Sequence, residues 1–207
     1  MIITIDGLGV NGKSTLAKML ADYFKYKNFN TGAIYRCLAL KIINEKLDVN
    51  DISNTLNKLK DIDINFDNEK VFLDNIDVSK EIRTEEISFY STKWATIPEI
   101  KELVRKIQKE YIRKYNTVIE GRDIATRIAP DADYKFYLYS EFETRVQRLW
   151  KQNTSISIDK IRNDLKIRDD LDINGGNFIK PKNAIEINTT NYTIDEVFKI
   201  MINYIKQ

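Results

Sequence analysis

The feature that most constrains this chain is the glycine-rich stretch Gly7–Ser14, which fits the pattern G-x-x-x-x-G-K-[S/T] at every fixed position. The short apolar run Ile2–Ile5 precedes it and predicts a buried strand, and a helical pattern follows from Lys13 to Tyr26. In this setting the backbone N–H groups of the loop close around phosphate oxygens, the lysine reaches the β- and γ-phosphates, and the serine hydroxyl serves Mg²⁺. A chance match is disfavoured by the strand and the helix on either side. The sequence therefore predicts a phosphate-binding loop at the start of a parallel α/β fold.

The middle of the chain has a different pattern. A short strand is predicted around Phe29, followed by a helix from Ala33 to about Glu45. Short apolar segments separated by turn residues at about 62–78 then predict a small antiparallel insert, with one of the turns at 67–69. A long helical region from about 84 to 115 is interrupted at Pro98, which suits the first turn of a new helix.

The alternation of strands and helices returns after residue 116. Strands are predicted at Thr117–Ile119, Tyr134–Tyr139 and Ala184–Ile187. Helices are predicted from Ser140 to about Trp150, from about Ser157 to Leu171, and from Thr193 to the C-terminus. Ser140 with Glu143, and Thr193 with Glu196, have the spacing of capping boxes.

Composition excludes several kinds of chemistry. The 207 residues include no histidine, so a Ser-His-Asp triad, a histidine general base and a histidine metal ligand are excluded. Cys37 is the single cysteine, which excludes an internal disulfide and a thiolate metal cluster. A net charge of +2 gives no electrostatic case for nucleic acid or a membrane surface. With no targeting segment and no long apolar run, a cytoplasmic location is expected.

A phosphate-binding loop alone is compatible with a GTPase, an ATPase, a motor or a small-molecule kinase. A guanine-reading Asn/Thr-Lys-x-Asp motif is absent, and the strand at Thr117–Ile119 leads to the single acidic residue Glu120 rather than to an acidic pair. Arginines in or beside the segments that follow the strands favour a kinase, because a guanidinium can contact phosphate through two donors. These are Arg36, Arg122, Arg127, Arg145, Arg148, Arg162 and Arg168. The alternative for each is an ordinary ion pair, for example of Arg145 and Arg148 with Glu141 and Glu143.

Taken together, the motifs resemble those of the bacterial cytidylate kinase family over the whole chain. The landmarks, besides the loop, are Thr31–Arg36, Glu81–Thr84, Ile97–Ile100, Glu120–Thr126, Pro130–Asp133, Arg168–Asp172 and Ile187–Thr190. As a set they are far more specific than the loop alone.

The resemblance implies a fold and an activity. The fold is the three-layer α/β architecture of P-loop NTPases, with a central parallel five-stranded sheet, a small antiparallel insert and a helical lid. One kinase domain would span 1–207, with a monophosphate-binding region at 31–115 and a lid at 153–178. The implied reaction is phosphorylation of CMP and dCMP by ATP with Mg²⁺, in pyrimidine nucleotide metabolism. No nucleic-acid or membrane partner is implied, and a monomer is expected.

The resemblance also implies residue roles. Lys13, Arg122 and Arg168 would be catalytic, and Ser14 would contact the metal ion. ATP would be bound by Gly7, Leu8, Gly9, Val10, Asn11, Gly12, Lys13, Ser14, Thr15, Arg145 and Arg148. The monophosphate substrate would be bound by Thr31, Arg36, Thr92, Lys101, Arg122, Asp123, Arg168 and Asp172. Among these, Asp123 and Thr92 would contact the cytosine edge and Asp172 the ribose.

Three positions depart from the family pattern. Asn30 stands where an aspartate is usual, which weakens a contact to Mg²⁺-bound water. Lys101 replaces a base-contacting arginine and keeps its charge but not its fork of donors. Gly175 stands where the lid of the family ends in an arginine, unless Lys180 or Lys182 supplies that charge. These changes bear on rate and substrate discrimination more than on class.

Two alternatives remain open at this point. The altered position at Lys101 permits another monophosphate kinase, one that acts on UMP or dTMP. The absent lid arginine permits a nucleotide-binding module with impaired transfer. Initial rates with a panel of nucleoside monophosphates discriminate among these possibilities.

Overall fold

The computed structural model describes residues 1–67, 70–152, 154–176 and 178–206. The strands are β1 (Ile2–Asp6), β2 (Lys27–Asn30), β3 (Ile64–Asp67), β4 (Lys70–Leu73), β5 (Ile76–Asp77), β6 (Thr117–Gly121), β7 (Tyr134–Tyr139) and β8 (Ile185–Asn188). The α-helices are α1 (Lys13–Phe24), α2 (Thr31–Asn44), α3 (Ile52–Leu59), α4 (Glu85–Trp94), α5 (Pro98–Lys114), α6 (Phe142–Gln152), α7 (Ile158–Asn174) and α8 (Ile194–Ile205). The turn residues Asn68 and Glu69, and Asn153 and Asn177 of the predicted lid, lie outside the described residues.

The sheets confirm the predicted architecture. A five-stranded sheet has the order β2-β6-β1-β7-β8, and a separate three-stranded sheet has the order β3-β4-β5. In the larger sheet β1 pairs in parallel with β6 and with β7, and β7 pairs in parallel with β8. The smaller sheet is antiparallel, as the short segments at about 62–78 predict. In parallel strands the carboxyl ends meet at one edge, which brings together the segments that follow β1, β6 and β7.

The chain divides into two compact units, and the first comprises Met1–Tyr26 with Asn116–Gln207. Its core is formed by strand residues such as Ile3, Val118 and Phe136, which are fully buried. Leu16 and Leu20 of α1, and Val197 and Met201 of α8, belong to the same cluster. The strands read as nearly continuous apolar runs because helices cover the sheet.

The second unit is Lys27–Tyr115. Phe29 of β2 stacks on Tyr111 of α5, with 4.1 Å between the ring centroids. Lys41 of α2 forms ion pairs with Glu45 on its own helix and with Asp74 between β4 and β5. Tyr111 also contacts the ring of Phe66 on β3, so packing and electrostatic contacts join the helices of this unit to the small sheet.

Helix starts follow their capping residues in most places. Thr193 and Glu196 form the predicted capping box of α8, and Pro98 opens α5. The predicted box at Ser140 is wrong, because α6 begins only at Phe142 and the Ser140 hydroxyl donates to Asn11 Oδ1 instead. Across the described ranges, no helix combines the length and apolar character that a bilayer crossing requires.

Candidate active site

The phosphate-binding loop joins β1 to α1 and depends on its glycines. Gly7 has φ +150°, and a Cβ there would lie 2.2 Å from the carbonyl oxygen of Leu138. Gly12 has φ +79°, in the left-handed region that glycine adopts without steric cost. Val10 also has a positive φ, of 64°, and its side chain packs on the apolar cluster of α6 and α7 around Val146. Gly7 and Gly12 therefore permit the loop conformation, whereas at Val10 the packing of the side chain offsets an unfavourable backbone angle.

Lys13 is the buried cation of this loop. Its side chain is almost inaccessible, and its Nζ donates a 2.7 Å hydrogen bond to the carbonyl of Leu8. The pKa of Lys13 is lowered to about 8, chiefly by burial; Glu120 opposes this shift, and the nearby Arg122 and Arg168 add to it. Three cationic side chains thus lie within electrostatic reach of one another, an arrangement suited to an anionic ligand.

Ser14 and Glu120 meet at the ends of two neighbouring elements. Ser14 Oγ donates a 3.0 Å hydrogen bond to Glu120 Oε1, which joins the start of α1 to the end of β6. Glu120 is buried. A hydroxyl and a carboxylate are oxygen ligands of the kind that Mg²⁺ prefers. Within the described residues there is no cluster of three acidic or sulfur-bearing side chains that would hold a metal ion by itself.

Asp6 ends β1 and is the most deeply buried acid near the loop. Its two carboxylate oxygens accept hydrogen bonds from the backbone N–H groups of Ile124, at 2.9 Å, and Ala125, at 2.8 Å. Burial raises the pKa of Asp6 to about 6, against the lowering effect of these bonds. Neighbouring Asp123 raises the same pKa and Lys13 lowers it. Asp6 thereby fixes the segment that follows β6.

That segment presents Arg122 and Asp123 and then forms a single π-helical turn at Ile124–Ile128. Arg122 Nε forms an ion pair with Asp172 of α7 at 2.5 Å. Asp123 Oδ2 lies 3.4 Å from Arg127 Nε. The structure thus places Asp172, expected at the ribose, against one of the expected catalytic arginines.

Arg145 is buried between the loop and the helical pair α6–α7. Its guanidinium makes two hydrogen bonds to the carboxylate of Asp169, at 3.0 and 2.6 Å, and a third to the carbonyl of Gly9 at 3.3 Å. Arg145 Nε is buried and has no hydrogen-bond partner among the described residues. The alternative pairing with Glu141 or Glu143 is therefore not the one found, and Glu143 instead pairs with Arg162.

Arg148 lies on the next turn of α6 and reaches a different segment. Its guanidinium donates to the carbonyl oxygen of Thr189, and to Thr189 Oγ1 at 3.1 Å. A cavity of about 350 Å³ opens beside it. Lining residues include Val10, Asn11, Thr15, Arg148, Thr189 and Ile194. The cavity adjoins the phosphate loop and is large enough for part of a nucleotide.

The other expected substrate residues belong to the second unit. Thr31 and Arg36 lie on the first turns of α2, which Asn30 caps by accepting a 3.0 Å hydrogen bond from Ala33 N. Thr92 lies on α4 and donates to the carbonyl of Ser88 at 3.0 Å. Lys101 lies on the second turn of α5. In this chain Asn30 thus serves as a helix cap.

In the region predicted to form a lid, Gly175 and Gly176 follow the end of α7. Gly176 has φ +65°, and a Cβ there would meet nothing within 4 Å. Lys180 forms an ion pair with Glu186 at 2.8 Å and lies over the ring of Tyr137. Its charge is therefore engaged at the edge of the sheet.

Sequence reasoning missed three members of this site. It gave no role to Asp6, to Asp169 or to the Ser14–Glu120 hydrogen bond. The signal for Asp6 was present, because an acidic residue that ends a buried strand rarely lies there without a partner. Asp169 pairs with an arginine 24 residues away, which no local spacing rule reveals.

Comparison with known proteins agrees with the motifs. The family model described as "Cytidylate kinase" matches residues 3–207. The cytidylate kinase of Clostridium acetobutylicum is 34% identical over 99% of this chain and 97% of its own length. That of Caldanaerobacter subterraneus subsp. tengcongensis is 36% identical over 99% of this chain and 94% of its own length.

Solved structures agree on the fold. A crystal structure of an uncharacterized protein from Eubacterium ventriosum has a TM-score of 0.55 at 13% identity and covers 100% of this chain and 98% of that one. TT1252 from Thermus thermophilus has a TM-score of 0.51 at 15% identity and covers 99% of this chain and 97% of that one. At these identities the likeness concerns the fold alone.

Proposed function

This chain belongs to the cytidylate kinase family, and on that premise we propose that it transfers the γ-phosphoryl group of ATP to the 5′-phosphate of CMP and of dCMP. The products are ADP with CDP or dCDP. A cytoplasmic location and a monomeric state are further parts of this proposal.

The observation that carries the proposal is the set of cations at the phosphate loop. The buried Lys13 lies within electrostatic reach of Arg122 and Arg168, and Glu120 and Asp6 offset only part of their effect, in a protein whose net charge is only +2. Repulsion among these cations destabilises the ligand-free protein and favours the binding of an anion. A polyphosphate next to a second phosphate is a ligand that relieves it.

The reaction needs charge neutralisation more than proton transfer. An oxygen of the acceptor phosphate attacks the γ-phosphorus, and the bond to the bridging oxygen of ADP breaks in line with it. The acceptor phosphate is already an anion, so the reaction requires no general base. The absence of histidine from this protein is therefore compatible with the reaction. Lys13, Arg122 and Arg168 are proposed to stabilise the negative charge on the moving group.

Magnesium fits the residues at the loop. When bound with ATP, the ion would supply positive charge that offsets the charge of the phosphates. Ser14 is proposed to offer its hydroxyl to the ion, and Glu120, which accepts the Ser14 hydrogen bond, orients that hydroxyl and can accept from a metal-bound water. Because the described protein groups supply few ligands, the nucleotide and water would complete the coordination.

The remaining ATP contacts are proposed around the cavity. Gly7–Thr15 would hold the phosphates through backbone N–H groups, and the cavity beside Arg148 would accept the rest of the nucleotide. Arg145, with an unpartnered Nε next to the loop, would add a donor. Its contact with the carbonyl of Gly9 already brings it close to the phosphate path.

Acceptor binding is proposed for residues in each unit. In Lys27–Tyr115, Thr31 and Arg36 would hold the phosphate, and Thr92 and Lys101 would contact the base. In the other unit, Asp123 would accept from the exocyclic amine of cytosine, and Arg168 and Asp172 would contact the phosphate and the ribose. An ionised carboxylate only accepts hydrogen bonds, which suits an amine and disfavours a carbonyl at the same place.

The test is a panel of initial rates with ATP-Mg²⁺ and each of CMP, dCMP, UMP, dTMP and AMP. We expect CMP and dCMP to give the highest kcat/KM. A preference for UMP or dTMP would move the chain to another monophosphate kinase. Tight ATP binding with no CDP formed would indicate a binding module with impaired transfer.

A variant connects the panel to the site. Asp123→Ala should raise the KM for CMP by about tenfold or more while the KM for ATP changes little, because of the two nucleotides only the acceptor is proposed to contact this carboxylate. Asp131→Ala, at an exposed position of the same segment, is the control. Equal losses for both nucleotides would contradict the base-reading role of Asp123.

A further inference from the structure

Arg127 is an arginine for which neither the phosphate chemistry nor the metal gives a role. It lies in the π-helical turn that follows Asp123, and its side chain is about one-third exposed. Its guanidinium contacts two different groups, one through an ion pair and the other through a hydrogen bond. Nε lies 3.4 Å from Asp123 Oδ2, and Nη2 donates to the carbonyl of Gly176 at 3.3 Å.

These two contacts join the segment that carries Arg122 and Asp123, proposed to read the base, to Gly176 in the region predicted to form a lid. One further backbone hydrogen bond joins the two segments, from Ile179 N to the carbonyl of Arg122 at 3.3 Å. The chain that leaves the lid therefore runs beside the segment that carries Arg122 and Asp123. Arg127 bridges the two segments through its side chain, as does the ion pair of Arg122 with Asp172.

The contact at Gly176 lies next to Gly175, the position at which this chain departs from the family pattern. The lid of this chain carries a glycine where the resemblance expects an arginine, yet a guanidinium does reach the lid end. It comes from the opposite segment, and a fork of donors lets it hold a carboxylate and a carbonyl at once. A lysine carries its donors on one nitrogen and lacks the fixed spacing between Nε and Nη2, so it would not reproduce both contacts in the same geometry.

We propose that Arg127 is a positioning residue that fixes the Asp123 carboxylate against the end of the lid and so sets the preference for cytosine over uracil. This inference rests on the proposed function, because it assumes that Asp123 accepts from the cytosine amine. A carboxylate held in one orientation discriminates an amine from a carbonyl, whereas a loose one can turn away from the wrong base. Arg127 acts through Asp123 and the lid rather than by touching the phosphates.

The experiment measures kcat and KM for CMP, UMP and ATP in the full-length enzyme. Arg127→Gln should lower the CMP/UMP ratio of kcat/KM by about tenfold, mainly by raising the KM for CMP, while the KM for ATP changes less than about twofold. Arg127→Lys should recover part of the ratio but not all of it. Arg105→Gln, which removes the Arg105–Glu102 pair three residues apart on α5, is the matched control and should leave the ratio unchanged.

A double-mutant cycle separates positioning from general stability. In an Asp123→Asn background, adding Arg127→Gln should change the CMP/UMP ratio by less than about twofold, because the two residues act as one unit. An unchanged ratio in both single Arg127 variants overturns the inference and leaves the proposed function standing. Parallel rises in the KM for ATP and for CMP overturn it in favour of a structural role. If Arg127→Gln does not fold, the same readings on Arg127→Lys decide.

A wild-type enzyme that phosphorylates neither CMP nor dCMP would contradict the proposed function itself, and this inference with it. The wild-type rates are measured in the same series, so the two failures are distinguishable.

Discussion

In the phosphate loop, Lys13 is buried beside a backbone carbonyl and two arginines, and its pKa is lowered to about 8 by that burial and those charges. In the helical pair α6–α7, Arg145 is just as buried but faces the carboxylate of Asp169 through two hydrogen bonds. The loop keeps a charge that lacks full compensation, whereas the helical pair neutralises its charge internally. The difference indicates that the loop is built to receive an anion and that the helical pair is built to hold a shape around it.

The largest expected effect is the loss of Lys13. Lys13→Ala should lower kcat/KM by about a thousandfold or more, or ~4 kcal/mol of transition-state stabilisation. The free energy of unfolding should not fall, because a lysine with a lowered pKa destabilises the folded state at neutral pH. Steady-state kinetics and urea titration measure the two quantities.

Lys18→Ala, on the exposed face of the same helix, is the control for this prediction. Near-normal turnover in Lys13→Ala would contradict the catalytic role of Lys13. It would also contradict the view that the loop, unlike the helical pair, is built to bind an anion.

The second effect concerns the helical pair. Arg145→Ala should lower the free energy of unfolding by about 3 kcal/mol, because it leaves the Asp169 carboxylate buried without its partner. Replacing both residues, as Arg145→Met with Asp169→Leu, should restore most of that stability. Chemical denaturation of the three variants measures the difference.

The same double variant tests whether the helical pair also binds ATP. Stability close to the wild type combined with a raised KM for ATP would show that Arg145 has both roles. A loss below about 1 kcal/mol in the single variant would mean that the pair is no more than an ordinary surface contact.

The third effect sharpens the contrast through pH. The pKa of Asp6 is raised from 3.8 to about 6 on folding, chiefly by burial. The folded state therefore holds this proton more tightly, so the stability that Asp6 contributes is present at low pH and is lost as the pH rises through about 6. Relative to Asp6→Asn, the wild type should lose about 2 kcal/mol of unfolding free energy between about pH 4.5 and 7.

Urea titrations of both proteins across this range measure that loss. Asp22→Asn, on the exposed face of α1, is the control and should track the wild type. A difference between wild type and Asp6→Asn that does not vary with pH would contradict the raised pKa.

The smallest expected effect is that of Gly176→Ala, and we compare it with that of Gly7→Ala. Gly176→Ala, at the lid end, should cost about 1 kcal/mol, because only its left-handed φ opposes the new side chain. Gly7→Ala should cost several times more, because its Cβ would meet the carbonyl of Leu138 at 2.2 Å. Thermal denaturation measures both, and equal costs would contradict the view that the loop is the more tightly constrained region.

Much of the fold could be read from the sequence because its strands are buried and its loop has fixed glycines. β1, β6, β7 and β8 appear as apolar runs with turn residues after them, and the insert appears as short alternating segments. Helix α3 was not predicted, although Ile52, Leu56 and Leu59 have the i, i+4, i+7 spacing of an apolar helical face. A second signal was the capping residue Asp51, whose side chain accepts from Asn54 N.

The site was predictable where chemistry is local and not where it is long-range. Lys13 and Ser14 follow from the spacing of the loop itself. The partners of Arg145 and Arg122 lie 24 and 50 residues away on α7, and only the packing of that helix shows them. The contact between Arg127 and Gly176 is also long-range, and no sequence pattern predicts a contact between residues 49 positions apart.

The lowered pKa of Lys13 also has a calorimetric consequence. Because burial lowers the pKa of Lys13 to about 8, the lysine is partly deprotonated near this pH in the ligand-free protein, and a bound polyphosphate favours the charged form. ATP binding at this pH should therefore take up a fraction of a proton from the buffer. The apparent enthalpy of binding should differ between phosphate and Tris by that fraction of the difference in their ionisation heats, and the ATP affinity should weaken as the solution becomes more alkaline.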